Sequence, residues 1–224
     1  MNLHYLGQSG FAVTAGEHTL LVDPFLTGNP KAVDDPAGFS PSYIVLTHAH
    51  GDHYGDTEEI ARRSGATVVT SFEVAQYLGE KDIKSVGMNI GGGASFPFGT
   101  VKYTPAWHSN SLPDGRYAGM PAGVILTLEG KRIYHAGDTA LFGDMAMIGR
   151  GGLDLAILPI GDLFTMGPAD ALEAVKLLKP KRVIPVHYNT FPAIEQDADA
   201  FKRRVEGETD AEVTVLRPGE RFAF

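Results

Sequence analysis

The chain has 224 residues, 43% hydrophobic and 21% charged, with a formal net charge of −8. That composition excludes a disordered chain, supplies apolar material for a full core and is a poor match for a nucleic-acid or anionic-membrane surface. There is no cysteine, which rules out disulfides, thiol nucleophiles and Cys-based zinc or iron–sulfur sites.

Residues 1–7 lack a basic stretch followed by an apolar core, and no window approaches the roughly 20 apolar residues of a membrane span. A cytoplasmic protein is therefore expected. Residues 3–6, 11–14 and 19–22 are short, partly β-branched runs separated by glycines, the pattern of an antiparallel meander. Residues 27–40 carry Gly28, Pro30, Pro36 and Gly38 and read as a surface or lid loop. Residues 43–46 are continuously apolar, the mark of a strand buried on both faces. That run ends directly in Thr47-His48. Residues 56–63 read as a helix with Asp56 at its N-cap, followed by a strand at 67–70 and a helix at 72–78. Residues 90–128 are rich in glycine and β-formers and predict several antiparallel strands. Within them Gly91-Gly92-Gly93 precedes no helix, so it reads as a bend and not a phosphate loop. The last part alternates: strands at 132–135, 155–158, 182–186 and 213–216, and helices at 168–178 and 194–205. Pro168 is placed to start the first of these helices and Pro180 to stop it. The expected architecture is one α/β domain over residues 1–224, with two mixed sheets packed together and flanked by helices.

The chemistry concentrates in Thr47-His48-Ala49-His50-Gly51-Asp52-His53. Imidazole nitrogen and carboxylate oxygen are the usual ligands of divalent first-row metals when thiols are absent. In an extended stretch His48 and His50 point to one side, so they can share an ion. Asp52 and His53 follow Gly51, where the backbone can turn towards a neighbouring ion. Further candidates sit at strand ends: His108, Asp138 and His187. Asp23 closes an apolar strand and is the best candidate to orient a ligand imidazole, with Thr47 and Thr139 flanking ligands. Tyr188 and Asn189 follow His187 and are candidate substrate contacts. Loops 27–40 and 109–121 are expected to shape the pocket. His135, three positions before Asp138, reads as structural, as do His4 and His18. Trp107, Met166 and Phe164 read as packing residues.

The run His48-Ala49-His50-Gly51-Asp52-His53, followed by His108, Asp138 and His187, resembles the metallo-β-lactamase superfamily, and the resemblance covers nearly the whole chain. Segments 160–168 and 185–192 are similar to those of a small bacterial and archaeal group of metal-dependent hydrolases. That group is similar to the branch of L-ascorbate-6-phosphate lactonase and N-acylphosphatidylethanolamine phospholipase D. The resemblance implies an αββα sandwich with two divalent ions at the edge between the sheets. It assigns His48, His50 and His108 to the first ion, Asp52, His53 and His187 to the second, and Asp138 to both. Related sequences commonly carry histidine where this chain has Gln8, a departure that bears on substrate contacts.

The expected activity is hydrolysis of a lactone or phosphodiester-type small molecule by a hydroxide held between two ions, with Asp52 and Asp138 as the catalytic carboxylates. Two ions lower the pKa of bound water from 15.7 to roughly 7, so no serine or cysteine nucleophile is required. Zinc is the leading ion, with manganese, iron, cobalt or nickel open. The alternative is a mono-iron oxidoreductase of the dioxygenase type in the same superfamily. The expected partner is a small-molecule substrate, with no nucleic acid and no membrane span. A homo-oligomer is left open.

Overall fold

The short apolar runs at the N-terminus pair as their alternation demands. In the computed structural model, which describes residues 1–224, β1 (Asn2–Gly7), β2 (Gly10–Ala15) and β3 (His18–Val22) form the antiparallel meander. β4 (Tyr43–Val45), β5 (Thr67–Ser71) and β6 (Ser85–Met88) then add in parallel. Helices α1 (Gly51–Tyr54), α2 (Thr57–Ser64) and α3 (Phe72–Gly79) lie in the crossovers, as parallel pairing requires.

The second sheet repeats the plan. β7 (Gly93–Phe96), β8 (Gly99–Pro105), β9 (Ala122–Leu128) and β10 (Lys131–His135) are antiparallel. β11 (Leu155–Pro159), β12 (Arg182–Val186) and β13 (Glu212–Val213) follow in parallel. Helices α4 (Met145–Ile148), α5 (Pro168–Leu178) and α6 (Ala198–Glu208) belong to this half. The chain ends in β14 (Arg221–Ala223), which pairs with β1 at the edge of the first sheet.

Three apolar clusters define four layers. One fills the space between the sheets, with Leu3, Phe11 and Val45 meeting Val101, Val124 and Ile157. A second packs the first sheet on its helices through Leu46, Ile60 and Leu78. A third packs the second sheet on α5 and α6 through Leu158, Leu172 and Phe201. Each sheet is covered on both faces, which is why β4, β11 and β12 read as continuous apolar runs. Tyr103 crosses the central layer, its hydroxyl donating to the carbonyls of Leu46 at 2.6 Å and Val69 at 3.2 Å. The αββα sandwich is therefore the observed fold.

Several elements depart from the sequence reading. The expected helix at 194–205 begins later, at Ala198, because Asp197 caps it by accepting from the Ala200 amide at 2.8 Å; a 3₁₀ turn, Pro192–Ile194, precedes it. The strand expected at 213–216 shrinks to Glu212–Val213. β6, β14, α1 and α4 are short and gave no periodic signal. Asp56 holds the N-cap position of α2 but does not cap it. Its carboxylate accepts instead from the Leu26 and Thr27 amides at 2.8 and 2.9 Å, anchoring the chain after β3. The loop at 27–40 is pinned by Arg63, whose guanidinium donates to the carbonyls of Pro36, Ala37 and Phe39. It does not line the cavity described below, so it is a tied surface loop.

Candidate metal centre

The carboxyl ends of the central strands of both sheets converge on one edge of the sandwich. Open α/β sheets place ligand sites at such ends. β3 delivers Asp23, and β4 leads through Leu46 and Thr47 into His48. His50 stands just before α1, and Asp52 and His53 lie on its first turn, so the bend after His50 aims them at the neighbouring position. From the second sheet, β8 leads to His108, β10 to Asp138 and β12 to His187.

These side chains form two groups whose ligand atoms lie within 4.8 Å of one another. His48, His50 and His108 make the first; Asp52, His53, Asp138 and His187 make the second. His48 Nε2 stands 3.1 Å from His50 Nδ1. Asp138 reaches both groups. Its Oδ1 is 3.1 Å from His53 Nε2, and its Oδ2 is 3.1 Å from His187 Nε2 and 3.5 Å from His108 Nε2. Gly137 beside it adopts φ 61°, and an added Cβ there would sit 2.8 Å from the Thr47 Cβ, so the approach of the two strand ends requires glycine.

The imidazole tautomers are fixed from behind. Asp23 is fully buried and accepts from the Thr47 amide at 2.8 Å, the Thr47 hydroxyl at 2.6 Å and His53 Nδ1 at 2.8 Å. With its proton given to Asp23, the Thr47 hydroxyl accepts from His48 Nδ1 at 3.1 Å. Both histidines thus present Nε2 forward, the arrangement in which a carboxylate orients a metal-binding imidazole. Thr139 acts differently from the expectation that it would bond a ligand. Its hydroxyl accepts from the Trp107 amide at 2.9 Å and donates to the Ala140 carbonyl, tying the backbone beside His108 to the backbone beside Asp138.

The electrostatics are those of a cluster built around negative charge. Burial opposes ionisation of Asp138, but His53 and His187 override it and hold its carboxyl well below the usual range. Burial likewise opposes protonation of His187, yet Asp138 and Asp52 push it up to about 9. His53 is raised by Asp138 and Asp23 against the same burial. Burial lowers His48, His50 and His108, leaving them neutral and ready to ligate. His53 Nε2 and Asp138 Oδ1 are buried, and neither has a hydrogen-bond partner although they are 3.1 Å apart. Buried polar atoms without partners are rare. Two of them converging here, with nitrogen and oxygen donors all round, fit a bound divalent cation.

The family model for the beta-lactamase superfamily domain matches residues 18–188. A UPF0173 metal-dependent hydrolase of Thermus thermophilus is 54% identical over 220 residues, covering 98% of this chain and 97% of the relative. The chain belongs to the UPF0173 metal-dependent hydrolase family. Its counterpart in Pelotomaculum thermopropionicum is 51% identical over 225 residues, covering 98% of each chain. Among solved structures, Igni18, a metallo hydrolase from Ignicoccus hospitalis, superposes with a TM-score of 0.91 at 41% identity, covering 100% of this chain and 98% of that one. The protein is thus a metal-dependent hydrolase of the metallo-β-lactamase superfamily, and no helix is long and apolar enough to cross a membrane.

The remaining expectations divide. His135 is buried and bonded to the Ser9 carbonyl at 2.8 Å and the Gly137 amide at 3.1 Å, outside both ligand groups. Asn189 does not reach the site. Its side chain binds the main chain of Gln196 and faces a separate polar groove. Tyr188 packs against the apolar cluster under the second sheet. Neither residue lines the cavity, and the backbone at His187, just before them, is left-handed with φ 55°. Trp107 is 63% exposed and Phe164 57% exposed, so neither is a packing residue. β8 ends at Pro105, and strand alternation no longer governs Trp107. Met166 is buried as expected. In the UPF0173 chain Gln8, linked by the sequence to substrate contacts, and Asn110, which the sequence did not single out, both bond to the residues of the centre. Gln8 Nε2 donates to Asp52 Oδ2 at 2.8 Å. Asn110 accepts from the Ala49 amide at 2.8 Å and donates to the Ala118 carbonyl, clamping the histidine run. Gln8 lies in the turn between β1 and β2 and Asn110 in the loop after β8, and neither position carries a periodic signal.

Proposed function

We propose that this UPF0173 protein is a dinuclear hydrolase acting on a lactone or phosphodiester-type small molecule. His48, His50 and His108 would hold one divalent ion and Asp52, His53 and His187 the other, with Asp138 shared between them. The observation that carries this reading is the Asp138 carboxylate reaching both histidine groups while its Oδ1 faces the buried His53 Nε2 at 3.1 Å and neither atom makes a hydrogen bond. Zinc or a similar ion bound there would polarise a carbonyl or phosphoryl oxygen and lower the pKa of water to roughly 7.

The chain's own residues do the rest. Of the two carboxylates that line the cavity Asp52 is the more open, its side chain 28% exposed against 3% for Asp138. Its Oδ2 is held by Gln8, so its orientation is fixed before substrate enters. Asp52 can accept the proton of an attacking water and return it to the leaving oxygen. Asp138 offsets positive charge in the cluster and keeps the two histidine groups in register. Asp23 and Thr47 keep His48 and His53 presenting Nε2 throughout turnover.

Elemental analysis of the purified protein beside Asp138→Ala tests the proposal. About two zinc or manganese ions per chain, falling in the variant together with esterase or phosphodiesterase turnover, are expected. About one iron per chain with substrate-dependent oxygen uptake would overturn it in favour of a mono-iron oxidoreductase.

A further inference from the structure

The cavity above the ligand groups has a volume of about 630 Å³ and two unlike surfaces. Its floor is polar, made of ligand residues with Gln8 and Ser109. Its wall is apolar, made of Phe25, Phe164, Phe191 and Ile194. No lysine or arginine lines it, and Lys31 belongs to the separate groove with Asn189 and Gln196. The wall comes from both halves of the sandwich. Phe25 follows the Asp23-Pro24 turn after β3, Phe164 lies in the loop after β11, and Phe191 and Ile194 bracket the 3₁₀ turn after β12. That turn is built, not loose: the Ile194 amide donates to the Phe191 carbonyl at 3.1 Å and the Asn189 amide to the Ile194 carbonyl at 2.9 Å.

We propose that this cavity takes a neutral ester or lactone whose group remote from the scissile bond is apolar, alkyl or aryl, an inference that rests on the hydrolase reading above. The reacting carbonyl meets the polar floor, and the remote group lies against the phenyl rings. Ligand cavities combine a few placed polar groups with apolar walls in this way. A phosphate or carboxylate on the remote group would be buried against those rings without a cation, which is strongly unfavourable. The wall therefore selects against phosphorylated lactones. The bond broken is the acyl C–O bond: water adds its oxygen to the carbonyl carbon, and the proton passes by way of Asp52 to the leaving alkoxide, giving a carboxylic acid and an alcohol.

The test uses the metal-loaded protein with para-nitrophenyl acetate, butyrate and hexanoate, and with a lactone supplied plain and phosphorylated. Burial of each methylene predicts about a three- to fourfold rise in kcat/KM, on the order of 100-fold from acetate to hexanoate. The double variant Phe164→Ala with Phe191→Ala should flatten that series, mainly through KM for the hexanoate. Binding of the product carboxylates gives a second readout. Trp107 is the only tryptophan, exposed beside His108, and its emission should report tighter binding of hexanoate than of acetate. Turnover that is flat along the series, or faster on the phosphorylated lactone, overturns the inference and leaves the hydrolase reading intact. No turnover of any ester or lactone by a protein carrying two ions overturns the hydrolase reading for this substrate class. Equal binding of hexanoate and acetate would then overturn the apolar wall separately.

Discussion

At the scale of single residues, the site is a competition between protons and metal for the same lone pairs. His187 is raised to about 9 and His53 is raised above its ordinary value because both face Asp138. In the metal-free chain both therefore carry a proton near neutrality, and a cation must displace it. Affinity should fall as pH drops and should rise as pH climbs towards about 9. Calorimetry in two buffers of different ionisation enthalpy should show proton release on zinc binding; pH-independent binding would contradict the assignment. Gln8 gives a second expectation. Gln8→Ala removes the donor that fixes Asp52, and loss of such a supporting contact costs roughly 10–100-fold in metal affinity. If the proposed two ions are bound, competition with a chromophoric chelator should show one weakened by that factor and the other unchanged. The types of the candidate ligands were legible in the sequence from their density and spacing. The Gln8–Asp52 contact was not, because its partners are 44 positions apart and belong to different elements.

At the scale of elements, function depends on where strands stop. β4, β10 and β12 end at the same edge, and each hands one or more ligands to the loop that follows. Close approach at that edge is enforced by residues without side chains. At Gly161, just after β11, an added Cβ would overlap the His187 carbonyl oxygen. Gly161→Ala should push the end of β12 outward and cost about 1–3 kcal/mol, read as a lowered denaturant midpoint, with weaker metal binding because His187 moves. An unchanged midpoint and unchanged metal content would show that the strand ends have slack. The periodic runs predicted most of these elements, and helix α5 spans the expected residues 168–178. The short pieces escaped because α1 and α4 are four residues each and β14 only three. Elements of that length are stabilised by what they pack on, and carry too few positions to show a period.

At the scale of the whole molecule, the centre is a clamp between two halves. His48, His50, Asp52 and His53 follow strands of the first sheet, and His108, Asp138 and His187 follow strands of the second. Protein contacts already cross this edge: the His187 amide donates to the Gln8 carbonyl at 2.7 Å and the Ala122 amide to the Thr47 carbonyl at 3.0 Å. Cations held by both halves would bind the folded chain alone. At a concentration one thousand times the dissociation constant such binding adds about 4 kcal/mol. For a chain of this size that is about 10 °C in Tm. Removing metal with a chelator should therefore lower the melting temperature by about that amount, and Asp138→Ala should be nearly insensitive to the chelator. Equal melting with and without chelator would mean that the halves are joined without help.

The sequence by itself determined the class of the fold and picked out the residues of the candidate metal centre, because apolar period and residue type are local properties of the chain. A buried strand must be apolar, and a thiol-free metal site must be built from imidazole and carboxylate. Only the tertiary structure decided that Asp138 reaches both histidine groups, that Asp23 and Thr47 set two tautomers, and that Asn189 and Tyr188 turn away while Phe164 faces the cavity. Those outcomes depend on distances between residues far apart in the chain. Such distances are fixed by how the two sheets pack, and no local pattern encodes them.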